Sequence, residues 1–248
     1  MTDPFRLDGK RALVTGANTG IGQAIALGLA RAGAEVVAAG RSSLDETLGL
    51  FAAESLKGSG LTLSLDDPAA AAARLSEAGP LDILVNNAGI IRRADSVEFS
   101  EADWDDVIDV NLKAVFFLSQ AFARAAFARD AGGAIVNIAS LLSFQGGIRV
   151  PSYTAAKHGV AGLTRILANE WAAKGINVNA VAPGYISTNN TEALRADPER
   201  SKAILDRIPA GRWGEASDIA EAAVFLASPA AAYVHGVVLP VDGGWLAR

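Results

Sequence analysis

Tyr153 and Lys157 stand four positions apart at the start of a stretch, Tyr153 to Lys174, that reads as helix. Four residues is close to one helical turn, so both side chains fall on one face. A free phenol titrates near pH ~10, too high for a good base at neutrality. An ammonium beside it favours the phenolate and lowers that value. Such a pair can take a proton from an alcohol or return one to a ketone. Ser140 precedes Tyr153 by 13 positions and follows an apolar, β-rich run, Ala134–Ile138. A hydroxyl at the C-terminal end of a strand points into the ligand crevice, where it can hold the reacting oxygen. Tyr-x-x-x-Lys alone arises often by chance. The assignment therefore depends on the elements that must position it.

Those elements alternate. Short apolar runs at Arg11–Thr15, Glu35–Ala39, Leu61–Leu65, Asp82–Asn86, Ala134–Ile138, Ile176–Val181 and Val237–Val241 are separated mostly by longer helical segments. The run Ala69–Ala73 reads as helix, and the Leu44–Gly60 connection carries only a weak helical signal. Nearly continuous apolar strands interleaved with helices predict a parallel sheet covered on both faces. The expected fold is a single-domain, doubly wound α/β domain of the Rossmann type with a seven-stranded parallel sheet.

The first strand leads into Thr15-Gly16-Ala17-Asn18-Thr19-Gly20-Ile21-Gly22, and an alanine-rich helix follows. Glycines at such a turn let the backbone approach a phosphate, and the helix N-terminus presents free N–H groups to the anion. Gly16, Asn18, Thr19, Gly20, Ile21 and Gly22 are the expected dinucleotide contacts. At the end of the second strand, an acid would bind a ribose 2′-hydroxyl, whereas a basic residue would accept a 2′-phosphate. The sequence there is Ala38-Ala39-Gly40-Arg41-Ser42, so Arg41 and Ser42 are expected to grip the phosphate of NADP(H), with NAD(H) a possible second coenzyme.

The wide G-x-x-x-G-x-G spacing resembles the short-chain dehydrogenase/reductase family. So do Asn86-Asn87-Ala88-Gly89 after the fourth strand, Ser140, Tyr-x-x-x-Lys, and Pro183-Gly184 after the sixth, in that order across essentially the whole chain. The resemblance implies a Ser140, Tyr153, Lys157, Asn111 catalytic set, with Asn111 holding a water that links the lysine to solvent. It implies that Tyr153 and Lys157 also touch the coenzyme. Asn87, Ala88 and Gly89 would line the coenzyme site, and Asp66 would meet the adenine amino group, its register uncertain by one because Asp67 follows. Pro183, Gly184, Ile186 and Thr188 would hold the carboxamide, and Gly40 stands where NAD-preferring members usually carry Asp. The resemblance further implies a homotetramer and a mobile substrate lid at about residues 186–206.

Within the family, several stretches are distinctive: Asn86 to Arg93, Ser143 to Tyr153, Asn177 to Tyr185, Asn189 to Thr191, Arg207 to Gly214 and Val241 to Arg248. They resemble the 2-dehydro-3-deoxy-D-gluconate 5-dehydrogenase branch, and more loosely the gluconate 5-dehydrogenases, which act on six-carbon sugar acids. Arg92, Arg93 and Arg149 are candidate carboxylate ligands, and Gln145, Asn189 and Asn190 could meet hydroxyls. Two rivals differ in class. A 3-oxoacyl-thioester reductase would need a groove for a pantetheine arm, which the polar set argues against. A non-catalytic dinucleotide sensor would be free to lose the proton-handling residues, all of which are present.

Bulk properties narrow the field. The chain has 248 residues, half of them hydrophobic and a fifth charged, enough for a sizeable core. Its formal charge is −5 with no block of like charge, giving no support to nucleic-acid binding. With no cysteine there is no disulfide, no thiolate site and no cysteine nucleophile, and two distant histidines make a metal site unexpected. His158, about 100° around the helix from Lys157, reads as a surface or subunit-contact residue. Met1 to Lys10 carries no apolar run, and Ala222 to Val241 is broken by Ser228-Pro229 and His235. No signal peptide or membrane span is expected, which places the protein in the cytoplasm.

Overall fold

Alternation along the strands sorts their side chains into two cores. On β1 (Arg11–Thr15), Ala12 and Val14 face one side of the sheet and Leu13 the other. On β2 (Glu35–Gly40), Val36 and Ala38 follow the first set, Val37 and Ala39 the second. The remaining strands are β3 (Gly58–Thr62), β4 (Ile83–Asn86), β5 (Gly133–Ile138), β6 (Ile176–Pro183) and β7 (Val238–Val241). The computed structural model describes residues 3–248, the side chain of Asn190 excepted. All seven strands pair in parallel, in the order β3-β2-β1-β4-β5-β6-β7.

The helices are α1 (Gly20–Arg31), α2 (Asp45–Ala53), α3 (Pro68–Ala73), α4 (Glu101–Ile108), α5 (Ala114–Ala128), α6 (Pro151–Trp171), α7 (Glu192–Ala196), α8 (Pro198–Leu205) and α9 (Ala216–Ala227). Ile25 and Leu29 of α1 meet Ile219 and Ala223 of α9 in one core. Leu118 and Phe122 of α5 join Leu167 and Trp171 of α6 in the other. Each such side chain contributes about 1.5–3 kcal/mol by leaving water, which is why both faces must be covered.

Three expectations need correction. The third strand is Gly58–Thr62, not Leu61–Leu65. It is the edge strand, paired with β2 from Val36↔Gly58 to Gly40↔Thr62, and so buries little of its own. Leu63 and Leu65 are buried beyond its end, beneath α3. Glycine is required at 58 because a Cβ there would lie 2.1 Å from the Phe51 ring of α2. Second, one of the expected helical segments is not α-helix throughout: Asp109–Lys113, which carries Asn111, forms a π-helical turn between α4 and α5. Third, the stretch Tyr153 to Lys174 begins earlier, with Pro151 in the first turn of α6, and its last residues form a 3-10 turn, Ala172–Lys174.

From β1 the chain moves outward through β2 and β3, then returns to place β4 on the other side of β1. The crevice for a ligand lies at such a switch, outside the C-terminal ends of the strands.

Candidate active site

A cleft of about 1040 Å³ occupies that edge of the sheet. Every residue expected to contact the dinucleotide lines it: Gly16, Asn18 to Gly22, Arg41, Ser42, Asp66, Asn87 to Gly89, Tyr153, Lys157, Pro183, Gly184, Ile186 and Thr188.

The glycine loop is held from beneath. Thr47 Oγ1 donates to Ala17 O at 2.8 Å, and Asn87 Nδ2 donates to Thr15 O at 2.9 Å and Gly16 O at 3.2 Å. The backbone N–H groups of Asn87 and Ala88 donate to Thr15 Oγ1. Asn87 thus ties the loop after β4 to the loop after β1. A Cβ on Gly22 would come within 2.2 Å of Gly16 O, so only glycine allows the turn to close against α1. Thr19, the N-cap of α1, makes no side-chain cap, and no acid occupies the first turn. The free N–H groups of that turn face the cleft beside Thr19, Gly20, Ile21 and Gly22, a donor set suited to a pyrophosphate.

Arg41 lies at the outer end of the cleft, exposed, with Nη1 3.8 Å from Asp66 Oδ1. Ser42 Oγ accepts from Asn18 Nδ2 at 2.9 Å. The ambiguity between two acids is resolved by geometry: Asp67 caps α3 by accepting from Ala69 and Ala70, while Asp66 lines the cleft. The residues present therefore fit a dinucleotide with a 2′-phosphate. The site offers backbone donors for the pyrophosphate, an exposed guanidinium, and no acid at Gly40 to repel the extra charge.

At the far end of the cleft stand Ser140, Tyr153 and Lys157. Ser140 follows β5 and caps a short 3-10 turn, Leu141–Ser143, its Oγ accepting from Leu142 N at 3.1 Å. Lys157 is buried, its Nζ donating to Ile138 O at 2.6 Å and lying 5.5 Å from the centre of the Tyr153 ring. Burial lowers its pKa to about 8. The expectation that Lys157 pulls the phenol down is not met. Burial raises Tyr153 above the ordinary value, and the opposing influences are Ser140 and Arg93 rather than the lysine. The lysine is itself desolvated and directed at a carbonyl, which limits what its charge does to the phenol.

Asn111 does not line the cleft. It is buried, its Oδ1 accepting from Ile90 N at 2.8 Å and its Nδ2 donating to Ile90 O at 2.9 Å. The side chain thereby fixes the strand-to-loop exit after β4. His158 is exposed, Nδ1 against Thr154 O, as expected for a surface position.

The substrate candidates divide. Arg93, Gln145, Arg149 and Asn189 line the cleft. Arg92 does not: it turns onto α4, 3.3 Å from Asp103 and 3.0 Å from Asp106. Two carboxylates presented by one helix outcompete an open cleft for that guanidinium. Arg149 is paired with Asp95 at 3.0 Å. The side chain of Asn190 lies outside the described residues.

A family model described as Enoyl-(Acyl carrier protein) reductase, one of the short-chain dehydrogenase/reductase models, matches residues 16–246. The 2-dehydro-3-deoxy-D-gluconate 5-dehydrogenase of Dickeya dadantii (strain 3937) is 57% identical over 248 residues, covering 98% of each chain. The chain belongs to the short-chain dehydrogenase/reductase family. Among solved structures, an Agrobacterium tumefaciens protein proposed to be a 2-deoxy-D-gluconate 3-dehydrogenase, with bound NADP, is 71% identical with a TM-score of 0.97, covering 100% of both chains. A gluconate 5-dehydrogenase from Burkholderia cenocepacia J2315, in complex with NADP and tartrate, is 40% identical with a TM-score of 0.91, covering 99% of this chain and 98% of that one.

The short-chain dehydrogenase/reductase frame makes the missed residues visible. Tyr185, Arg200, Arg207 and Trp245 also line the cleft and were not expected there. Arg207 and Trp245 fall within stretches that are distinctive in the sequence. They come from α8's C-terminal flank and the chain's last residues, and no spacing rule joins segments so far apart. Among the described residues, no cluster of metal-ligating side chains occurs and no helix is long and apolar enough to cross a membrane.

Proposed function

We propose that this chain is an NADP(H)-dependent dehydrogenase that interconverts a hydroxyl and a ketone on a six-carbon sugar acid of the gluconate type. The observation that carries the reading is one cleft joining the uncapped start of α1 and Arg41 to Ser140, Tyr153, Lys157 and the arginines Arg93, Arg200 and Arg207, none of them ion-paired among the described residues. The names of the Dickeya and Burkholderia relatives, and the NADP bound by both solved neighbours, support the same substrate class and coenzyme.

The backbone donors at the start of α1 bind the pyrophosphate, Arg41 and Ser42 the 2′-phosphate, and Asp66 the adenine edge. The loop from Pro183 to Thr188 orients the carboxamide end. When bound, the nicotinamide supplies the carbon that gives or accepts the hydride. Ser140 holds the substrate oxygen, and Tyr153 moves the proton at that oxygen. A phenol raised by burial is protonated at neutral pH, ready to donate to a ketone. Lys157, with a pKa of about 8, changes charge close to neutrality and can restore the tyrosine's proton. The segment at about residues 186–206 acts as a lid that excludes water.

The test is NADPH consumption at 340 nm with 5-ketogluconate, the 2,5-diketo-3-deoxy acid and a 3-oxoacyl thioester offered separately. Turnover of a sugar acid is expected; turnover of the thioester alone would return the function to thioester reduction. Cationic side chains at the substrate end favour the sugar acid over an uncharged acyl chain. A homotetramer working in the cytoplasm completes this reading.

A further inference from the structure

Arg207 follows α8 and lies with Cζ 3.9 Å from the centre of the Trp245 ring. Trp245 is buried and packs with Leu141 and Ile208, and its Nε1 donates to Gln145 Oε1 at 3.4 Å. Tyr185 closes its other approach, ring centres 4.7 Å apart. The indole is thus a fixed platform, joined through Leu141 to the turn that begins at Ser140. A guanidinium over such a platform keeps its N–H edge free in a fixed plane, the geometry a carboxylate needs for two parallel hydrogen bonds. Preorganisation on the ring also reduces the freedom lost on binding.

Charge pairing separates Arg207 from two of the arginines expected at the substrate. Arg92 and Arg149 are engaged by carboxylates, whereas among the described residues Arg207 pairs with none. Arg93 also has no ion pair among the described residues, but its charge is felt by the Tyr153 phenol, at the proton-transfer end of the cleft. Arg207 and Arg200 are felt instead at Tyr185. In an acid that reacts at C5, the carboxylate is four carbons away from the reacting carbon, so the group that binds it must stand apart from Tyr153. Arg200 lines the cleft from α8, and among the described residues only Arg207 of the two is seated on an aromatic ring.

We propose that Arg207, seated on Trp245, binds the carboxylate of the substrate and sets the preference for sugar acids over neutral polyols. This rests on the sugar-acid reading above and adds the residue that enforces it. Gln145 and Tyr185 act as positioning residues, keeping the indole in place.

The experiment compares oxidation of D-gluconate and D-glucitol, which differ only in a carboxylate against a hydroxymethyl group, by wild type, Arg207→Met and Arg207→Lys with NADP. Methionine keeps an apolar stem on the indole while removing the charge. The acid-to-polyol ratio of kcat/KM is expected to fall about tenfold or more in Arg207→Met, mainly through KM for gluconate, with partial recovery in Arg207→Lys. A merely structural arginine would lower both substrates together and leave the ratio unmoved. That result, with wild type still preferring gluconate, would overturn the proposal and leave the function standing. A wild type with no preference for the acid would overturn both.

Discussion

Lys157 keeps an amine in a wall of the cleft where its charged form is disfavoured, and this has a measurable consequence for stability. Its pKa is lowered from 10.5 to about 8 by burial. Below pH 8 the amine is protonated in both folded and unfolded chains, so the full cost of burying the charge is present. Between about pH 8 and 10.5 the unfolded state holds the extra proton, and stability rises with pH. Wild type should therefore gain on Lys157→Met by up to roughly 3 kcal/mol across that window, read from urea unfolding at stepped pH. A difference independent of pH would contradict the assignment. Arg41 gives a second test at this scale. Among the described residues its only ion pair is the long, exposed contact with Asp66. Arg41→Ala should raise the Kd for NADPH about tenfold or more and leave NADH within about twofold. Equal effects on the two coenzymes would remove the 2′-phosphate from the account.

At the scale of elements, the segment carrying α7 and α8 differs from the rest. Neither helix contains a buried residue, and they are anchored chiefly by hydrogen bonds. Thr191 Oγ1 donates to Ile186 O at 2.6 Å, and Asp197 caps α8. Little apolar burial means a low free energy of local opening. Amide hydrogen exchange across residues 188–206 should be fast in the free protein and slow at least about tenfold with NADP and gluconate together. Unchanged exchange would make this a fixed surface feature. The same scale shows what could be read in advance and what could not. The five inner strands were legible because burial on both faces writes a nearly continuous apolar run, and the edge strand β7 is apolar throughout although less buried. β3 was misplaced because an edge strand of glycine, serine and threonine writes none, and the leucines that follow it belong to the core beneath α3. The π-helical turn at Asp109–Lys113 left no trace in composition, and neither did the anchoring of Asn111 on Ile90.

Taken as a whole, the molecule places the loops after β1 to β6 along one edge of the sheet, and much of the cleft they form was legible because those after β1, β4, β5 and β6 carry motifs of their own. The substrate end was less legible. Arg92 reads as a substrate ligand until α4 presents Asp103 and Asp106 to it, and Arg207 becomes visible only when Trp245 folds back from the C-terminus. Light scattering should give about four times the 25.5 kDa chain mass for the homotetramer, whereas a monomer would remove that part of the reading.

The most direct test of the central claim uses wild type and Tyr153→Phe side by side, measuring NADPH affinity by fluorescence and NADPH oxidation at 340 nm with 5-ketogluconate and the 2,5-diketo-3-deoxy acid. Wild type should turn over at least one acid. The variant should bind NADPH within about twofold of wild type and lose turnover by ~10²-fold or more. A variant that retains full turnover would contradict proton transfer by Tyr153, and a wild type that binds NADPH yet reduces neither acid would contradict the function itself.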